Sequence, residues 1–403
     1  MMIHGNVKRA IVRLAYILTA AIAIFAVCEM FARMIYRESC LSGLFRDDRI
    51  FHHLPPPYYK GGMQSPDDFD LSFTTNNRGM RGPGDYTYKK GEGVFRIAVL
   101  GDSFTFGVGV AADQTASSVL EKMLNRDGSG AARKYQVYNF GVNSFSPVLE
   151  YIYLKREAIK YSPDLVILML DLCDLQDDYL YEPHIVKDAS GDVLGCDPFK
   201  RSGAWDLKAF AMRYSRLYFI LDQKLFQSFR KMRTIGFGRY IYNKLHKVRN
   251  KTEILTNKDI DNIEFDRFLF VRDGKDKDIV ARHWSRTAGY LRMIKEYLDA
   301  RGVPFILVAY PYGHQVSQRQ WNKGRVYWAF DPNRVYDGGE AFATIEDFAR
   351  SSGIAVVNVY DAFKAKKDQP LYFTSDGHCT ALGQTLIAEK IYDSPAFRRA
   401  TGR

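Results

Sequence analysis

The stretch RIAVLGDSFTFGVGV, from Arg96 to Val110, decides the fold. It begins as an apolar run typical of a strand buried on both faces, and it continues into small residues around one serine, Ser103. A serine that follows a buried strand and precedes a helix lies at the carboxyl edge of a parallel sheet, where α/β proteins bind ligands. An isolated Gly-Asp-Ser is also compatible with a simple turn, so the role of Ser103 depends on what else reaches that edge.

Strands alternate with helices along most of the chain. The predicted strands are VFRIAVL, KYQVYNF, DLVILML, PFILVAY and IAVVNVY, and amphipathic segments such as TASSVLEKMLN and RTAGYLRMIKEYLDARG separate them. This alternation predicts a parallel sheet that is covered by helices on both faces. We assign it to one domain, residues 94–403, with an insertion over about 180–276 where the alternation breaks.

Two segments precede this domain. Residues 1–38 contain the uninterrupted apolar run Leu14–Cys28, which follows three basic residues. We interpret the segment as an uncleaved transmembrane anchor, rather than a signal peptide or a buried helix, because Cys28-Glu29-Met30 is a poor cleavage site. The basic residues before the run predict a single-pass protein with its main domain on the extracytoplasmic, periplasmic side. Residues 39–93, rich in turn formers, are predicted to be an extended lead-in.

The chain is basic, with a formal net charge of +11, which favours anionic partners. Much of that charge lies in the insertion, where residues 200–251 carry many Lys and Arg side chains and only two acids. We predict a helical cap with a solvated basic face. The alternative is a surface helix that rests on anionic lipid or glycan. No groove-reading or RNA-binding motif occurs, so nucleic acid is not a predicted partner.

Two histidines are candidates for chemistry near the sheet edge. In LYFTSDGHCTALG, Asp376 precedes His378 by two residues, and a nearby carboxylate can orient an imidazole that acts as a base for a serine. His314 follows the fourth predicted strand. It is either a substrate contact or a hydrogen-bonded loop histidine.

Three motifs together resemble the SGNH/GDSL superfamily of serine esterases and acyltransferases: GDSFTFGVGV, NFGVNSFSP and the C-terminal DGH. The lead-in FHHLPPP and NNRGMRGPG also resembles that of membrane-anchored bacterial members. The resemblance implies a flavodoxin-like three-layer α/β/α fold. It also implies that Ser103 is the nucleophile, His378 the base and Asp376 its orienting acid. The backbone N–H groups of Ser103 and Gly141 would then belong to the oxyanion hole.

The chain departs from the superfamily pattern in two places. The third oxyanion donor of the superfamily is an Asn after the third strand, but Asp174 stands at the matching position. A carboxylate cannot donate a hydrogen bond unless it is protonated. Either burial keeps Asp174 neutral, or Asp174 has another role, or Asn143 replaces it as the donor. The second departure is the Asp–x–His spacing, which resembles the branch of alginate-type O-acetyltransferases.

The acids after the third strand, Asp171, Asp174, Asp177 and Asp178, also suggest a site for a hard cation. Consecutive acids after a strand more often cap helices or lie in solvated loops, and we predict that role, with no metal and no cofactor. A Cys173–Cys196 disulfide is conceivable, but the odd number of cysteines favours free thiols.

The sequence thus predicts a membrane-anchored serine esterase that forms an acyl-enzyme and acts on an extracytoplasmic ester or acetylated glycan. One alternative is an O-acetyltransferase acting on a cell-envelope polysaccharide. The other is a binding or assembly protein that keeps the fold without catalysis.

Overall fold

The computed structural model describes residues 2–35, 46–65, 67–82, 84–126, 133–198, 215, 217–218, 221, 268–271, 277–328 and 330–403. The chain divides into two compact units, Met1–Ser39 with Ser202–Asn250, and Cys40–Arg201 with Lys251–Arg403. The predicted basic cap over residues 200–251 lies outside the described residues, apart from four positions. Its helical character and its anionic partner therefore stay predictions.

The first unit contains one long helix, α1 (Met2–Ile35). Within it, Val12–Ala32 is long and apolar enough to cross a membrane, with a mean hydropathy of 2.2 and no buried residue in its apolar window. A signal sequence near the N-terminus can meet the same criteria of length and composition. The acid inside this segment is not isolated: Glu29 accepts hydrogen bonds from Ser215 Oγ (2.8 Å) and from the backbone N–H of Leu217 (3.0 Å).

The second unit is built on a five-stranded parallel sheet, which confirms the predicted α/β fold. The strands of the chain are β1 (Arg46–Asp48), β2 (His52–Leu54), β3 (Lys60–Ser65), β4 (Phe69–Thr74), β5 (Val94–Gly101), β6 (Lys134–Gly141), β7 (Leu165–Leu170), β8 (Ile185–Lys187), β9 (Val193–Cys196), β10 (Phe305–Ala309) and β11 (Ala355–Asn358). The sheet order is β11-β10-β7-β5-β6, and its strands are the five apolar runs of the sequence. Every residue of β7 is buried, as expected for a strand covered on both faces.

Helices cover both faces of this sheet. The α-helices described in this unit are α2 (Ser103–Phe106), α3 (Ala116–Arg126), α4 (Pro147–Arg156), α5 (Asp174–Tyr181), α6 (Lys277–Asp299), α7 (Gly313–Val316), α8 (Gly339–Ser351), α9 (Tyr360–Ala365), α10 (Ala381–Asp393) and α11 (Pro395–Thr401). Helix α3 packs against α10, while α4 packs against α5 and α6. This arrangement leaves the carboxyl ends of the strands open for the loops that carry the motifs.

The lead-in is more ordered than the sequence predicts. Strands β1 and β2 form one antiparallel hairpin, and β3 and β4 form another. Met63 and Ser65 of β3 point inward, so the strand does alternate between exposed and buried residues. Two consecutive glycines in its sequence, KGGMQS, hide that alternation, because glycine has low strand propensity.

Cys173 and Cys196 are both buried, and they are not joined to each other by the disulfide that the sequence makes conceivable.

Candidate active site

Ser103 lies two residues after the end of strand β5 and is the first residue of the short helix α2. The preceding Asp102 is the N-cap of that helix, and its Oδ1 accepts a hydrogen bond from the N–H of Phe104 (2.9 Å). Ser103 Oγ also lies 3.3 Å from Asp102 Oδ2. A capped helix start thus fixes the backbone of the serine at the sheet edge.

The structure brings Ser103, His378 and Asp376 together in one chain of contacts. His378 Nε2 lies 2.8 Å from Ser103 Oγ, and His378 Nδ1 contacts Asp376 Oδ1. Because the Asp376 carboxylate can only accept a hydrogen bond, His378 Nδ1 carries the proton and donates it. The lone pair of Nε2 then faces the serine hydroxyl. The ring of Phe104 packs on the imidazole, with centroids 4.7 Å apart. This is the arrangement needed for a histidine to take a proton from the serine.

The loop that carries Asp376 and His378 needs glycine between them. Gly377 has φ of +95°, and a Cβ there would lie 2.7 Å from Nε1 of Trp321. Burial opposes ionisation of Asp376, but the charge of His378 and its hydrogen bonds outweigh burial and lower the pKa of Asp376. Asp376 is therefore held as a carboxylate next to the imidazole.

Gly141 does not have the environment expected of an oxyanion donor. Its N–H already donates to Asn139 Oδ1 (2.9 Å), so the expectation that this N–H faces the substrate is wrong for this conformation. The glycine is needed for a steric reason. A Cβ at this position would lie 2.3 Å from the backbone nitrogen of Phe106, because the end of β6 touches α2.

Asn143 follows Gly141 by two residues, as Ser103 follows Gly101, and Gly101 pairs with Gly141 in the sheet. The two residues therefore leave neighbouring strands at equivalent positions. Asn143 is buried, and its Oδ1 has no hydrogen-bond partner among the described residues. Two side chains hold this turn by its carbonyls. His53 Nε2 lies 2.7 Å from the carbonyl oxygen of Asn143, and Tyr181 donates to that of Ser144 (2.7 Å).

Asp174 begins α5, and its Oδ2 accepts a hydrogen bond from the N–H of Asp171 (3.0 Å). Burial, and then the charges of Glu150, Asp171 and Asp102, raise the pKa of Asp174 well above its ordinary value. The neutral carboxyl is therefore favoured, which removes the electrostatic objection to this residue beside an oxyanion. Its hydrogen bond to the turn gives it a second role, as a brace for the loop after β7.

The expectation that the acids after β7 are solvated is wrong. These side chains are all buried: Asp171, Asp174, Asp177 and Asp178. The expectation of capping holds for Asp178, whose Oδ1 accepts from the N–H of Val148 in the first turn of α4 (3.0 Å). Within the ranges that the structure describes, no group of three or more His, Cys, Asp or Glu side chains is arranged to hold a metal ion.

Glu150 joins these acids from α4, and sequence reasoning missed it. Its side chain is fully buried, and neither carboxyl oxygen has a hydrogen-bond partner in the described part of the chain. Burial, followed by the charges of Asp102, Asp178 and Asp171, raises the pKa of Glu150 well above its usual range. A carboxyl buried among other carboxyls without a cation keeps its proton. In the sequence, Glu150 looks like an ordinary acid in the first turn of a helix.

His314 is not placed to contact a substrate. Its side chain is fully buried, and it stacks on Phe330 with ring centroids 4.0 Å apart. Tyr312, Trp321 and Tyr336 also surround the imidazole. The prediction of a substrate contact is therefore wrong for this conformation, because the ring belongs to an aromatic core cluster.

No protein-family model matches the chain, and no curated protein matches it. Solved structures with a similar fold include TesA, at 14% identity over 76% of this chain and 99% of that chain, with a TM-score of 0.37. An acetyl xylan esterase, AlAXEase, is 11% identical over 74% of this chain and 98% of its own, with a TM-score of 0.38. Axe2, an acetylxylan esterase from Geobacillus stearothermophilus, is 11% identical over 76% of this chain and 94% of its own, with a TM-score of 0.36. At these scores the likenesses carry no argument about activity.

Proposed function

We propose that this chain is a serine-dependent acyl-ester hydrolase of the SGNH/GDSL superfamily. One observation carries the proposal: Ser103 Oγ lies 2.8 Å from His378 Nε2, while Asp376 contacts the other ring nitrogen. The three residues come from two loops far apart in sequence that meet at one sheet edge. A chance contact between a serine and a histidine does not require a carboxylate on the far side of the imidazole.

The geometry supports a two-step reaction. In the first step Ser103 Oγ attacks the ester carbonyl as His378 Nε2 takes the hydroxyl proton, and a C–O bond forms. The tetrahedral intermediate collapses, the bond to the alcohol breaks, and His378 returns the proton to the leaving oxygen. In the second step water attacks the acyl-enzyme, with His378 again as base, and releases the acid. Asp376 keeps the imidazole in one tautomer and stabilises its charged form.

For the oxyanion we propose the N–H of Ser103 and the side-chain amide of Asn143 as donors. The N–H of Gly141 is already bound to Asn139, which removes one donor that the superfamily resemblance implies. This same observation favours the alternative of a non-catalytic binding or assembly protein, because an oxyanion hole with too few donors accelerates acyl transfer poorly.

We further propose that the domain is anchored by Val12–Ala32 and acts outside the cytoplasm on an ester or acetylated glycan. The apolar segment supports anchoring, and the net charge of +11 suits an anionic envelope surface. A sugar hydroxyl that replaces water in the second step would make the enzyme an O-acetyltransferase, which the Asp–x–His spacing favours.

The proposal is tested on the full chain in detergent with a fluorophosphonate probe, which labels activated serines. We expect labelling of the wild type and none of Ser103→Ala. Absence of labelling in the wild type, or equal labelling of both, would contradict catalysis and favour the binding protein. Hydrolysis of p-nitrophenyl acetate with and without oligosaccharides then separates the two enzymes. An acetylated oligosaccharide identifies a transferase, whereas a rate independent of every acceptor identifies a hydrolase.

A further inference from the structure

We propose that the lead-in is part of the active site, with Asp68 as a positioning residue for the catalytic acid. The inference rests on the proposed function. Each of the three motif loops receives one polar side chain from the lead-in: His53, Asp68 and Arg81. His53 and Arg81 lie in the lead-in motifs FHHLPPP and NNRGMRGPG, whose resemblance implies no role for either residue, and Asp68 lies in neither motif.

Asp68 holds the loop of the catalytic acid by four hydrogen bonds. Its Oδ1 accepts from the N–H (2.8 Å) and the hydroxyl (2.6 Å) of Thr374, and its Oδ2 accepts from the N–H groups of Ser375 and Asp376 (2.8 Å each). Burial disfavours the charged form of Asp68, but these hydrogen bonds outweigh it and lower its pKa. One carboxylate thus fixes three successive residues up to the one that contacts His378.

Arg81 holds the loop that follows Ser103 by hydrogen bonds to its backbone. Its guanidinium is buried and donates to the carbonyl oxygens of Phe106 (3.3 Å), Gly107 and Val110. Burial lowers the pKa of Arg81 to about 10, so the group remains charged at neutral pH. A buried cation that binds three carbonyls fixes the curvature of the chain just after α2.

His53 braces the third loop. Its Nε2 contacts the carbonyl of Asn143, which only accepts hydrogen bonds, so this nitrogen carries the proton. The neutral ring then accepts at Nδ1, and the contact of 2.9 Å with His52 Nδ1 requires that His52 donates there. Burial lowers the pKa of His53, and burial together with the charges of His53 and His184 lowers that of His52 to about 3. Both rings therefore stay neutral at neutral pH. The hydrogen bonds from His52 to His53 and from His53 to the Asn143 carbonyl are then both retained.

Apolar packing joins the β3–β4 hairpin to the same loops. Met63 and Phe73 pack against Phe106 and Val108 in a cluster separate from the main core. Phe69 contacts Phe373, beside the loop that Asp68 holds, with ring centroids 4.8 Å apart. The hairpin therefore contacts both the serine loop and the histidine loop. We infer that it stabilises the position of the two loops relative to each other.

Asp68 offers the sharpest test because its side chain is only half-buried. In Asp68→Asn, the amide NH₂ must face at least one backbone N–H group in either orientation, so at least one of the four hydrogen bonds is lost. We expect kcat for p-nitrophenyl acetate to fall about 10- to 100-fold with KM little changed, since a small displacement of a catalytic group has effects of this size. Asp70→Asn is the matched control. Asp70 is an exposed acid of the same hairpin that bonds only Gln64 among the described residues, and its replacement should leave kcat unchanged.

A double mutant separates positioning from general stability. In the Asp376→Asn background, Asp68→Asn should lower kcat less than about twofold, because its effect passes through the side chain already removed. An equal loss in both backgrounds, or wild-type kcat in Asp68→Asn, would overturn the inference. The proposed function fails separately, if the wild-type chain itself neither labels nor hydrolyses ester.

Discussion

Asn143 and Asp174 are the two side chains that the sequence offers as the remaining oxyanion donor, and their surroundings distinguish them. Asn143 leaves β6 at the position equivalent to Ser103 on β5, and its turn is held from behind through backbone carbonyls. Asp174 instead accepts a hydrogen bond from its own turn and lies among other buried acids. The local contacts favour Asn143 as the donor and Asp174 as a brace.

We therefore predict that two substitutions affect kcat to very different extents. Asn143→Ala should lower kcat for p-nitrophenyl acetate about 10²- to 10³-fold, which is the usual effect of removing one oxyanion donor. Asp174→Asn, which keeps the shape and can still accept from the turn, should change kcat less than about fivefold. Steady-state kinetics with p-nitrophenyl acetate measure kcat of both variants and of the wild type. The reverse order of effects would assign the donor role to Asp174.

At the scale of elements, Asp178 joins three helices. It belongs to α5, accepts from the N–H of Val148 at the start of α4, and accepts from the hydroxyl of Thr287 in α6 (2.6 Å). Burial raises the pKa of Asp178 to about 7 against the opposing effect of these hydrogen bonds. The helices on this face therefore depend on a polar contact inside the core as well as on apolar packing.

Thr287→Val removes one donor from this contact at nearly constant volume. We expect it to lower the free energy of unfolding by about 1–3 kcal/mol, because a buried oxygen loses its hydrogen bond. Thr344→Val is the control: its hydroxyl bonds the carbonyl of Glu340 on an exposed face, and its loss should cost less than about 0.5 kcal/mol. Denaturation of the chain in detergent compares the two. Equal stability of both variants would contradict a structural role for the contact.

Some parts of the fold and of the site can be predicted from the sequence, and others depend on contacts between elements. The five core strands are readable because strands buried on both faces appear as continuous apolar runs. Asp376 and His378 can be predicted as a pair because a single residue separates them in the sequence. The hydrogen bonds between Asp68 and the Asp376 loop join residues that are far apart in sequence and that meet only through the packing of elements. No local pattern encodes such contacts, and the burial of Glu150 is hidden for the same reason.

In the molecule as a whole, several acids are buried close together inside the second unit. Asp102, Asp174 and Glu150 are buried, and burial is the first cause that raises the pKa of each, followed by the charges of neighbouring acids. Buried tyrosines contact this group: Tyr310 lies 3.5 Å from Asp102, and Tyr312 donates to Asp171. The folded chain therefore holds protons that the unfolded chain releases at neutral pH.

Glu150→Gln tests this coupling of protons to folding. The unfolded chain loses the proton of Glu150 near its ordinary pKa of 4.5, whereas the folded chain keeps it to higher pH. The folded state then binds more protons, so the stability from the neutral carboxyl is complete below about pH 4.5 and falls by up to about 1.4 kcal/mol per pH unit above it. Glutamine keeps the shape without the proton, so the variant should be increasingly more stable than the wild type as the pH rises. Urea denaturation between about pH 5 and about pH 8 measures the difference. A gap that does not widen with pH would mean that Glu150 is ionised in the folded chain, and that a cation or water compensates its charge.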